Sequence, residues 1–268
     1  MNNASDIVTL QHLQGLKGKG EKITCLTSYD ASFARLVDQA GVEIIMVGDS
    51  LGMVLQGHES TRPVSVDDMV YHSDCVSRVR QRAMIVTDMP YQSYRTAADA
   101  VSNAKRLVES GGADVVKLEG GREVTDVIKA ITDSGIGVCA HLGLLPQSVE
   151  TPDGYRVQGR DADSAGRILE DALLVQQAGA GMLVLECIPS SLGKQITSAI
   201  EIPTIGIGAG CDCDGQVLVI YDMLGITSGS RPKFVKDFLK DSDSIRDAIA
   251  GFVEQVKSGS YPSTEYSY

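Results

Sequence analysis

The chain has 268 residues, of which 43% are hydrophobic and 22% are charged, the balance of a globular protein with a sizeable core. Its formal net charge is −11 and its lysines and arginines form no cluster, which argues against nucleic acid and anionic membranes as partners. The N-terminus lacks the basic start and apolar core of a secretory signal, and no apolar run reaches the roughly 18 residues of a membrane span. We therefore expect a cytoplasmic protein.

Eight short runs rich in Val, Ile and Leu recur along the chain, each followed by a polar turn and usually by a helical pattern. Their near-continuous apolar content is typical of parallel strands that are buried on both faces. The strands are predicted at residues 23–28, 42–50, 83–90, 113–121, 137–144, 182–189, 202–210 and 216–224.

The segments between these runs have the period of amphipathic helices. Asp30 is a candidate N-cap for a helix that ends near Gly41, and the capping boxes Ser65–Asp68 and Thr96–Asp99 open two more helices. A last helical stripe covers residues 245–256. The helices after the sixth and seventh strands are predicted to be short or absent.

Strands that alternate with helices in this way predict a single-domain (β/α)8 TIM barrel over residues 1–268. A doubly wound open sheet is the alternative. A short N-terminal helix around residues 7–10 is expected to close the bottom of the barrel. The polar tail, residues 257–268, is expected either to wander or to dock on a neighbouring subunit.

The six cysteines show no C-x-x-C pair and no Cys/His spacing of the kind that binds zinc. We predict that they are buried free thiols of a reducing compartment. They are Cys25, Cys75, Cys139, Cys187, Cys211 and Cys213.

Ionisable residues stand at the ends of five consecutive predicted strands. In a barrel of this class the catalytic groups lie at the C-terminal ends of the strands. Lys117 and Glu119 are two residues apart on one strand, so both side chains point to the same side. The strand-end residues are Asp49 with Ser50, Asp88, Lys117 with Glu119, His141 and Glu186.

Two interpretations of this set remain open, a structural ion-pair cluster and a site for a metal and an anionic substrate. Carboxylates with a single histidine suit a hard cation such as Mg²⁺ or Mn²⁺ better than Zn²⁺. Lys117 would attract a substrate carboxylate, and Glu186 would stay unligated and act as a base. His141 is either a core histidine or part of the site wall. The G-I-G-A-G stretch at 206–210 is either a tight turn or a phosphate site.

From about Thr24 to the C-terminus the sequence resembles the ketopantoate hydroxymethyltransferase family. The resemblance is carried by several specific motifs. They include VGDSLG within residues 27–61, PVSVDDM (63–69), VTDMPYQSY (86–94), VKLEGG (116–121), HLGLLPQSV (141–149), LVLECIP (183–189) and PTIGIGAG (203–210).

The resemblance implies a (β/α)8 barrel and a set of site residues. The Mg²⁺-binding acids of the family match Asp49, Asp88 and Glu119. The proton acceptor matches Glu186, and His141 matches a histidine that lines the same pocket. The residues that contact the 2-oxo acid match Asp49, Ser50, Asp88 and Lys117. Bacterial members of the family assemble as homodecamers, so the resemblance also implies a homo-oligomer.

The implied reaction belongs to pantothenate biosynthesis. It moves a hydroxymethyl group from 5,10-methylenetetrahydrofolate to 3-methyl-2-oxobutanoate through a Mg²⁺-stabilised enolate, and it gives 2-dehydropantoate. The loop at 144–165, with Arg156 and Arg160, is expected to close over the site or bind folate carboxylates, and an interface role is the alternative.

Two rival interpretations come from other classes. Mg²⁺-dependent carbon–carbon lyases of the isocitrate lyase and phosphoenolpyruvate mutase kind share acidic strand ends, but the K-K-C-G-H loop of the lyases has no match here. A catalytically silent barrel that only binds 2-oxo acids would keep the binding residues and lack turnover.

Overall fold

The computed structural model describes residues 7–149, 156–227 and 231–268. Eight parallel strands form a closed barrel in sequence order, and β1 pairs with β8 to complete it. This pairing confirms the (β/α)8 barrel and excludes the open sheet, in which the two edge strands would stay apart. The strands are β1 (Ile23–Thr27), β2 (Ile44–Val47), β3 (Met84–Asp88), β4 (Val115–Glu119), β5 (Gly137–Gly143), β6 (Met182–Glu186), β7 (Thr204–Ile207) and β8 (Gly215–Leu218).

Helices surround the barrel and cover the outer faces of the strands. The α-helices in the described part of the chain are α1 (Leu10–Lys19), α2 (Ala31–Gln39), α3 (Leu51–Val54), α4 (Val66–Ser77), α5 (Ala97–Glu109), α6 (Thr125–Asp133), α7 (Ala162–Gln177), α8 (Ser190–Ala199), α9 (Ile220–Met223) and α10 (Ile245–Lys257).

The predicted helix caps are confirmed. The side chain of Asp30 accepts hydrogen bonds from the backbone amides at the start of α2. Ser65 and Asp68 form a reciprocal capping box at α4, and Thr96 accepts a hydrogen bond from the amide of Asp99 at α5. Each cap satisfies an amide that the first helical turn leaves without a backbone partner.

All eight strands are shorter in the structure than the predicted runs, and two of the runs continue as helices. The second ends at Val47 rather than at residue 50, and α3 begins directly after Ser50, where no helix was expected. The eighth run, predicted to extend to residue 224, leaves the barrel after Leu218 and continues as α9. A short apolar run has no period that separates a buried strand from one buried helical turn.

The prediction that the helix after the sixth strand would be short or absent was wrong. Helix α8 has ten residues and follows β6 after three residues, with Leu192 and Ile196 on its buried face. Between β7 and β8 the structure has a loop without a helix, as predicted.

The bottom of the barrel is closed by α1, as predicted, although the helix begins at Leu10 rather than at residue 7. Leu13 and Leu16 are buried there against the lower ends of the strands. The side chain of Leu10 lies over Gly137 and Gly181, where a Cβ would come within 3.0 Å and 2.6 Å of it. Because this end is packed, a ligand must enter at the opposite end.

The acid Glu43 anchors the lower rim through charged and neutral hydrogen bonds. Its carboxylate accepts from the amide and hydroxyl of Thr24 at 2.9 Å and 2.7 Å, and it pairs with Lys257 at 2.8 Å. Burial alone would raise the pKa of Glu43, but the hydrogen bonds from Lys257 and Thr24 hold it below its usual value.

We expect Glu43→Gln to lower the free energy of unfolding at pH 7 by about 1 kcal/mol, because the charge-assisted hydrogen bond to the partly exposed Lys257 is lost. A lowered pKa stabilises the fold above the pKa of the unfolded state, about 4.3, and this stabilisation disappears as the pH falls through the folded value. The difference between wild type and variant should therefore shrink in acid. Urea unfolding at pH 7 and pH 4 measures it, and an equal difference at both pH values would contradict the prediction.

The segment after α10 folds back on its own barrel, so the expectation that residues 257–268 wander is wrong, and the alternative of docking on a neighbouring subunit stays a prediction. Tyr261 is buried, and its hydroxyl donates to the carbonyl oxygen of Phe234 at 2.6 Å. The ring also packs edge-on against Phe238. These contacts hold the tail on the upper half of the barrel.

The cysteines are all free, as predicted, but they are not all buried. Cys211 is exposed, because it lies in the loop between β7 and β8, and Cys75 on α4 is partly exposed. Among the residues described, no helix combines the length and the apolar character that crossing a membrane requires.

Candidate active site

A cavity of about 1330 Å³ opens at the C-terminal ends of the strands. The strand-end residues chosen from the sequence all line it, so the fold brings the predicted set together. They are Asp49, Ser50, Asp88, Lys117, Glu119, His141 and Glu186.

The register of the sheet places these side chains in neighbouring pairs. Asp88 on β3 lies beside Lys117 on β4, and Glu119 at the end of β4 lies beside His141 on β5. Side chains two residues apart point to the same side of a strand, so Lys117 and Glu119 both enter the cavity. The alternation predicted from the sequence is confirmed.

Lys117 lies at the centre of the cluster. Its Nζ is 3.0 Å from Oδ1 of Asp88 and 3.5 Å from Nδ1 of His141. Burial alone would lower the pKa of Lys117, but the negative charge of Asp88 and Glu119 raises it above its usual value. Lys117 is therefore a fixed positive charge in the cavity.

Asp49 follows β2 in a tight turn that brings it to Asp88. Its backbone amide donates to Oδ2 of Asp88 at 3.0 Å. A Cβ at Gly48 would lie 2.9 Å from Oγ of Ser50, so the turn has no room for a side chain there. Ser50 is not a helix cap, because its side chain makes no capping bond to α3; its Oγ lies 2.8 Å from the hydroxyl of Tyr29.

Negative charge in this cavity exceeds positive charge. Burial and then the neighbouring Asp88 raise the pKa of Asp49 to about 7. Burial also raises the pKa of Glu119 well above its usual range. The lining contains six carboxyl side chains (Asp49, Glu59, Asp88, Glu119, Glu186 and Asp222) against Lys117 and three arginines (Arg156, Arg160 and Arg231), so it has an excess of carboxyl groups that a bound cation would offset.

Glu186 lies at the end of β6 and is a neighbour of His141, which also lies next to Lys117. Nε2 of His141 is 3.1 Å from Oε2 of Glu186. Burial lowers the pKa of His141 well below its usual value, so the ring is neutral. Because Lys117 can only donate, we assign Nδ1 as the acceptor and Nε2 as the nitrogen that carries the proton. Burial raises the pKa of Glu186 to about 8.

The backbone on both sides of Glu186 is constrained. Its carbonyl oxygen would lie 2.1 Å from a Cβ at position 143, where Gly143 has a φ of +96°. The next residue, Cys187, has a φ of +48°, a left-handed conformation that is uncommon outside glycine. The strand end that carries Glu186 is therefore held by its neighbours in a conformation it would not otherwise favour.

The predicted metal acids fit a divalent cation by chemistry, and their present arrangement is not a complete ligand set. Oδ1 of Asp88 is buried and accepts no hydrogen bond, although Nζ of Lys117 lies 3.0 Å from it, and hard carboxylate oxygens are the ligands that Mg²⁺ prefers. In the described ranges, no three His, Cys, Asp or Glu side chains are spaced to hold an ion. Binding at Asp49, Asp88 and Glu119 would require side-chain rotation, and it stays a prediction.

Gln147 connects the acids and was not among the predicted site residues. Its Nε2 donates to Oδ2 of Asp49 at 2.8 Å and to the carbonyl oxygen of Met89 at 3.0 Å. Its backbone amide donates to Oε2 of Glu119 at 3.0 Å, and its Oε1 accepts from the hydroxyl of Tyr94. A neutral residue in a loop has no pattern that marks such a role, although a motif of the family resemblance includes it.

We expect Gln147→Leu to weaken Mg²⁺-dependent activity about 10- to 100-fold, the usual cost of removing a residue that orients metal ligands. Asp49 would lose the hydrogen bond from Nε2 of Gln147, whereas Glu119 keeps the bond from the backbone amide of residue 147. Tyr94→Phe leaves the bond to Asp49 in place and removes the bond to Oε1 of Gln147 together with longer contacts to the backbone of Glu119, so it should have a smaller effect. Activity measured against Mg²⁺ concentration checks this order, and an unchanged Mg²⁺ dependence in Gln147→Leu would contradict it.

Residues beyond the strand ends also line the cavity. Arg156 and Arg160 line it, in agreement with a loop that reaches over the site. Residues 150–155 of that loop lie outside the described residues. At the end of β7 the G-I-G-A-G stretch forms a turn in which Gly208 and Gly210 have positive φ angles, which agrees with the tight-turn interpretation.

Sequence comparison identifies close relatives over almost the full chain. A family model described as ketopantoate hydroxymethyltransferase matches residues 7–264. A Nitrosococcus oceani protein named 3-methyl-2-oxobutanoate hydroxymethyltransferase is 56% identical over 261 residues, which cover 97% of this chain and 99% of the relative. A Methylococcus capsulatus protein of the same name is 53% identical over 264 residues, with 98% of each chain covered.

Structural comparison finds the same barrel in distant proteins. Phosphonopyruvate hydrolase, solved as a complex with oxalate and Mg²⁺, superposes with a TM-score of 0.61 at 12% identity and covers 96% of this chain and 92% of its own. A 2,3-dimethylmalate lyase superposes with a TM-score of 0.60 at 16% identity and covers 82% and 83%. At such low identity these likenesses show the fold alone.

Proposed function

The chain belongs to the ketopantoate hydroxymethyltransferase family, and on this basis we propose that it transfers a hydroxymethyl group from 5,10-methylenetetrahydrofolate to 3-methyl-2-oxobutanoate. The product would be 2-dehydropantoate. The observation that carries this proposal is the position of Lys117 between two groups of side chains in the cavity. Asp88 lies on one side of its ammonium group, and the pair of His141 and Glu186 lies on the other.

Lys117 and Ser50 supply the means to bind a 2-oxo acid. The ammonium group of Lys117 is buried and positively charged, so it attracts the carboxylate of the substrate or the oxygen on which negative charge develops. The hydroxyl of Ser50 is held by Tyr29 and can donate to the same substrate. Both groups are in place before the substrate arrives, which reduces the cost of orienting them.

Glu186 is the group best suited to remove the C3 proton of the substrate. A base works well when its pKa lies near the working pH, and burial raises the pKa of Glu186 to about 8. The C3–H electron pair passes toward the keto oxygen to form an enolate while the proton moves to the carboxylate of Glu186. The enolate carbon then forms its bond to the one-carbon unit of the folate. A water molecule opens the methylene bridge: its oxygen stays on the transferred carbon, its two protons go to the folate nitrogens as the two C–N bonds break, and the new alkoxide takes the proton held by Glu186. His141 is neutral, and its Nε2 lies 3.1 Å from Oε2 of Glu186 without forming a hydrogen bond, so it is a neighbour of the base that adds no charge.

We propose that Asp49, Asp88 and Glu119 hold Mg²⁺, with Gln147 orienting the first and last of them. Bound Mg²⁺ would polarise the keto group of the substrate and make the C3 proton more acidic. The raised pKa values of Asp49 and Glu119 support this assignment, because burial disfavours their charged forms and a bound cation would stabilise those forms.

The size of the cavity supports a second, larger substrate. Its volume of about 1330 Å³ exceeds the roughly 300–1,000 Å³ that is typical of pockets for drug-sized ligands. A small 2-oxo acid would therefore fill only part of the cavity. Arg156 and Arg160 line the cavity and could pair with the carboxylates of a folate.

One experiment tests the proposed function and separates it from its rivals. The protein is incubated with Mg²⁺ and 3-methyl-2-oxobutanoate in D₂O, and the C3 proton is followed by NMR with and without 5,10-methylenetetrahydrofolate. Exchange together with folate-dependent product is the expected result. Binding without exchange would instead identify a silent barrel, and the absence of any interaction would reject both.

The assembly and location remain predictions from the resemblance and the composition. We propose a homodecamer in the cytoplasm. Native mass spectrometry of the purified protein checks the first statement, and cell fractionation checks the second.

A further inference from the structure

The last residue of the chain lies in the wall of the cavity, next to the proposed base. Tyr268 lines the cavity together with Glu186 and Cys187. The hydroxyl of Tyr268 and the thiol of Cys187 are hydrogen-bond neighbours, and Glu186 is close enough to influence the pKa of the tyrosine. No step of the proposed mechanism uses this aromatic ring, so its position calls for an explanation.

Two polar anchors hold the backbone of this residue. The amide and the hydroxyl of Ser190, at the start of α8, both donate to the carbonyl oxygen of Tyr268 at 2.9 Å. Lys233 donates to the carbonyl oxygen of Ser267, and its ammonium group lies 5.6 Å from the centre of the Tyr268 ring. These contacts hold the C-terminal segment in a defined position on the barrel.

The glycines of the G-I-G-A-G turn make room for this docking. A Cβ at Gly208 would lie 3.0 Å from Cε2 of Tyr268 and 2.7 Å from Cδ1 of Phe234, so the ring rests directly on the turn. A Cβ at Gly210 would lie 2.6 Å from Cβ of Ser190. Both glycines have positive φ angles, which a side chain would disfavour for a second reason. Ser190 and Tyr268 therefore pack directly against this turn.

The ring covers a constrained part of the site. Cys187 directly follows Glu186 and has a left-handed backbone, and its amide donates to the carbonyl oxygen of Ile207 at 2.9 Å. The amide of Gln158 donates to the carbonyl oxygen of Cys187 at 2.8 Å from another side. Although it lines the cavity, Cys187 is only 6% exposed. Tyr268 lines the cavity beside this buried residue.

We propose that Tyr268 is a positioning residue whose ring covers the end of β6 and keeps bulk water from the base Glu186. The inference deepens the proposed function and rests on it in one respect, namely that Glu186 accepts the C3 proton. Limited water contact means that this proton exchanges slowly with solvent. The enolate then has time to form its bond to the one-carbon unit before C3 is reprotonated with a solvent proton.

The first test measures how exchange and transfer divide the enolate. In D₂O, with Mg²⁺, the 2-oxo acid and limiting 5,10-methylenetetrahydrofolate, deuterium incorporated at C3 is compared with product formed. For Tyr268→Ala we expect the ratio of deuterium to product to rise about tenfold, equivalent to about 1.4 kcal/mol between the two barriers. A purely structural role would lower both rates together and leave the ratio unchanged, and that result would overturn the proposal.

Two variants make this test specific. Tyr268→Phe keeps the ring and removes the hydroxyl, so it should retain the low ratio; a ratio as high as that of Tyr268→Ala would overturn the role of the ring. Tyr266→Ala is the matched control, because this ring lies in the same segment and packs on Tyr261 outside the cavity. Its ratio should equal that of the wild type.

The second test needs no substrate and is independent of the proposed function. Iodoacetamide labels free thiols, and mass spectrometry of peptides separates Cys187 from the exposed Cys211, which serves as the internal standard. We expect Cys187 to be labelled about tenfold faster in Tyr268→Ala, with no change at Cys211, as a barrier change of about 1.4 kcal/mol implies. Unchanged labelling would overturn the cover even if the enzyme is active. A wild type that makes no folate-dependent product, with faster labelling in the variant, would instead reject the proposed reaction.

Discussion

Glu186→Gln should bind 3-methyl-2-oxobutanoate and fail to exchange its C3 proton. We expect the exchange rate to fall at least about 10²-fold, since a positioned general base contributes roughly 10² to 10⁴ in rate. The amide has nearly the shape of the carboxylate, so contacts with His141 and the cavity wall change little. Binding measured by calorimetry and exchange measured by NMR in D₂O separate the two effects.

The pH dependence of exchange provides a second readout of this residue. Burial raises the pKa of Glu186, so at low pH its carboxyl is protonated and cannot accept the proton. The wild-type rate should therefore rise with pH until Glu186 is deprotonated, and the residual rate of Glu186→Gln should lack this rise. Glu201→Gln, at an exposed position, is the control. Retained exchange in Glu186→Gln would rule out Glu186 as the base.

Asp88→Asn should abolish Mg²⁺-dependent binding of the 2-oxo acid. Asp88 accepts a hydrogen bond from the backbone amide of Asp49 and forms an ion pair with Lys117. It therefore connects the proposed metal-binding acids to Lys117, the residue proposed to bind the substrate carboxylate. Side chains of both ion-pair partners are about 95% buried, at 5% and 4% exposure. Removing the charge of one partner leaves the other insufficiently compensated, and we expect the free energy of unfolding to fall by about 3–5 kcal/mol.

Binding and stability must be measured separately for this variant. Calorimetric titration of the 2-oxo acid with and without Mg²⁺ reports binding, and urea unfolding reports stability. Asp161→Asn is the matched control, because Asp161 caps α7 at an exposed position, whereas Asp88 belongs to a buried ion pair. If Asp88→Asn folds and still binds the 2-oxo acid only in the presence of Mg²⁺, Asp88 does not hold the metal.

The strand-end residues could be chosen from the sequence because of two simple geometric rules. The C-terminal ends of parallel strands meet at one end of a barrel, and side chains two apart share one side of a strand. Asp88, Lys117 and Glu186 each follow a recognisable apolar run, so these rules place them in one cavity. The helix after β6 was missed because its ten residues follow the strand so closely that no loop marks its start.

Other parts of the site depend on residues that are distant in the chain. Gln147 acts through Asp49, 98 positions away, and nothing near it in the sequence indicates that contact. Tyr268 is held by Ser190, 78 positions away, and a polar tail has no periodicity from which docking can be predicted. Short-range patterns report local conformation, whereas these contacts form only when the barrel closes.

The sequence by itself determined the barrel, the end of the barrel that carries the chemistry and the charged residues that line it. These features follow from hydrophobic period and strand polarity, which are local and regular. Only the tertiary structure decided that Lys117 lies between Asp88 and His141, that Gln147 contacts both Asp49 and Glu119, and that Tyr268 lines the cavity together with Glu186. The reason is physical: the pKa of a buried acid and the position of a loop residue depend on neighbours that the closed barrel supplies.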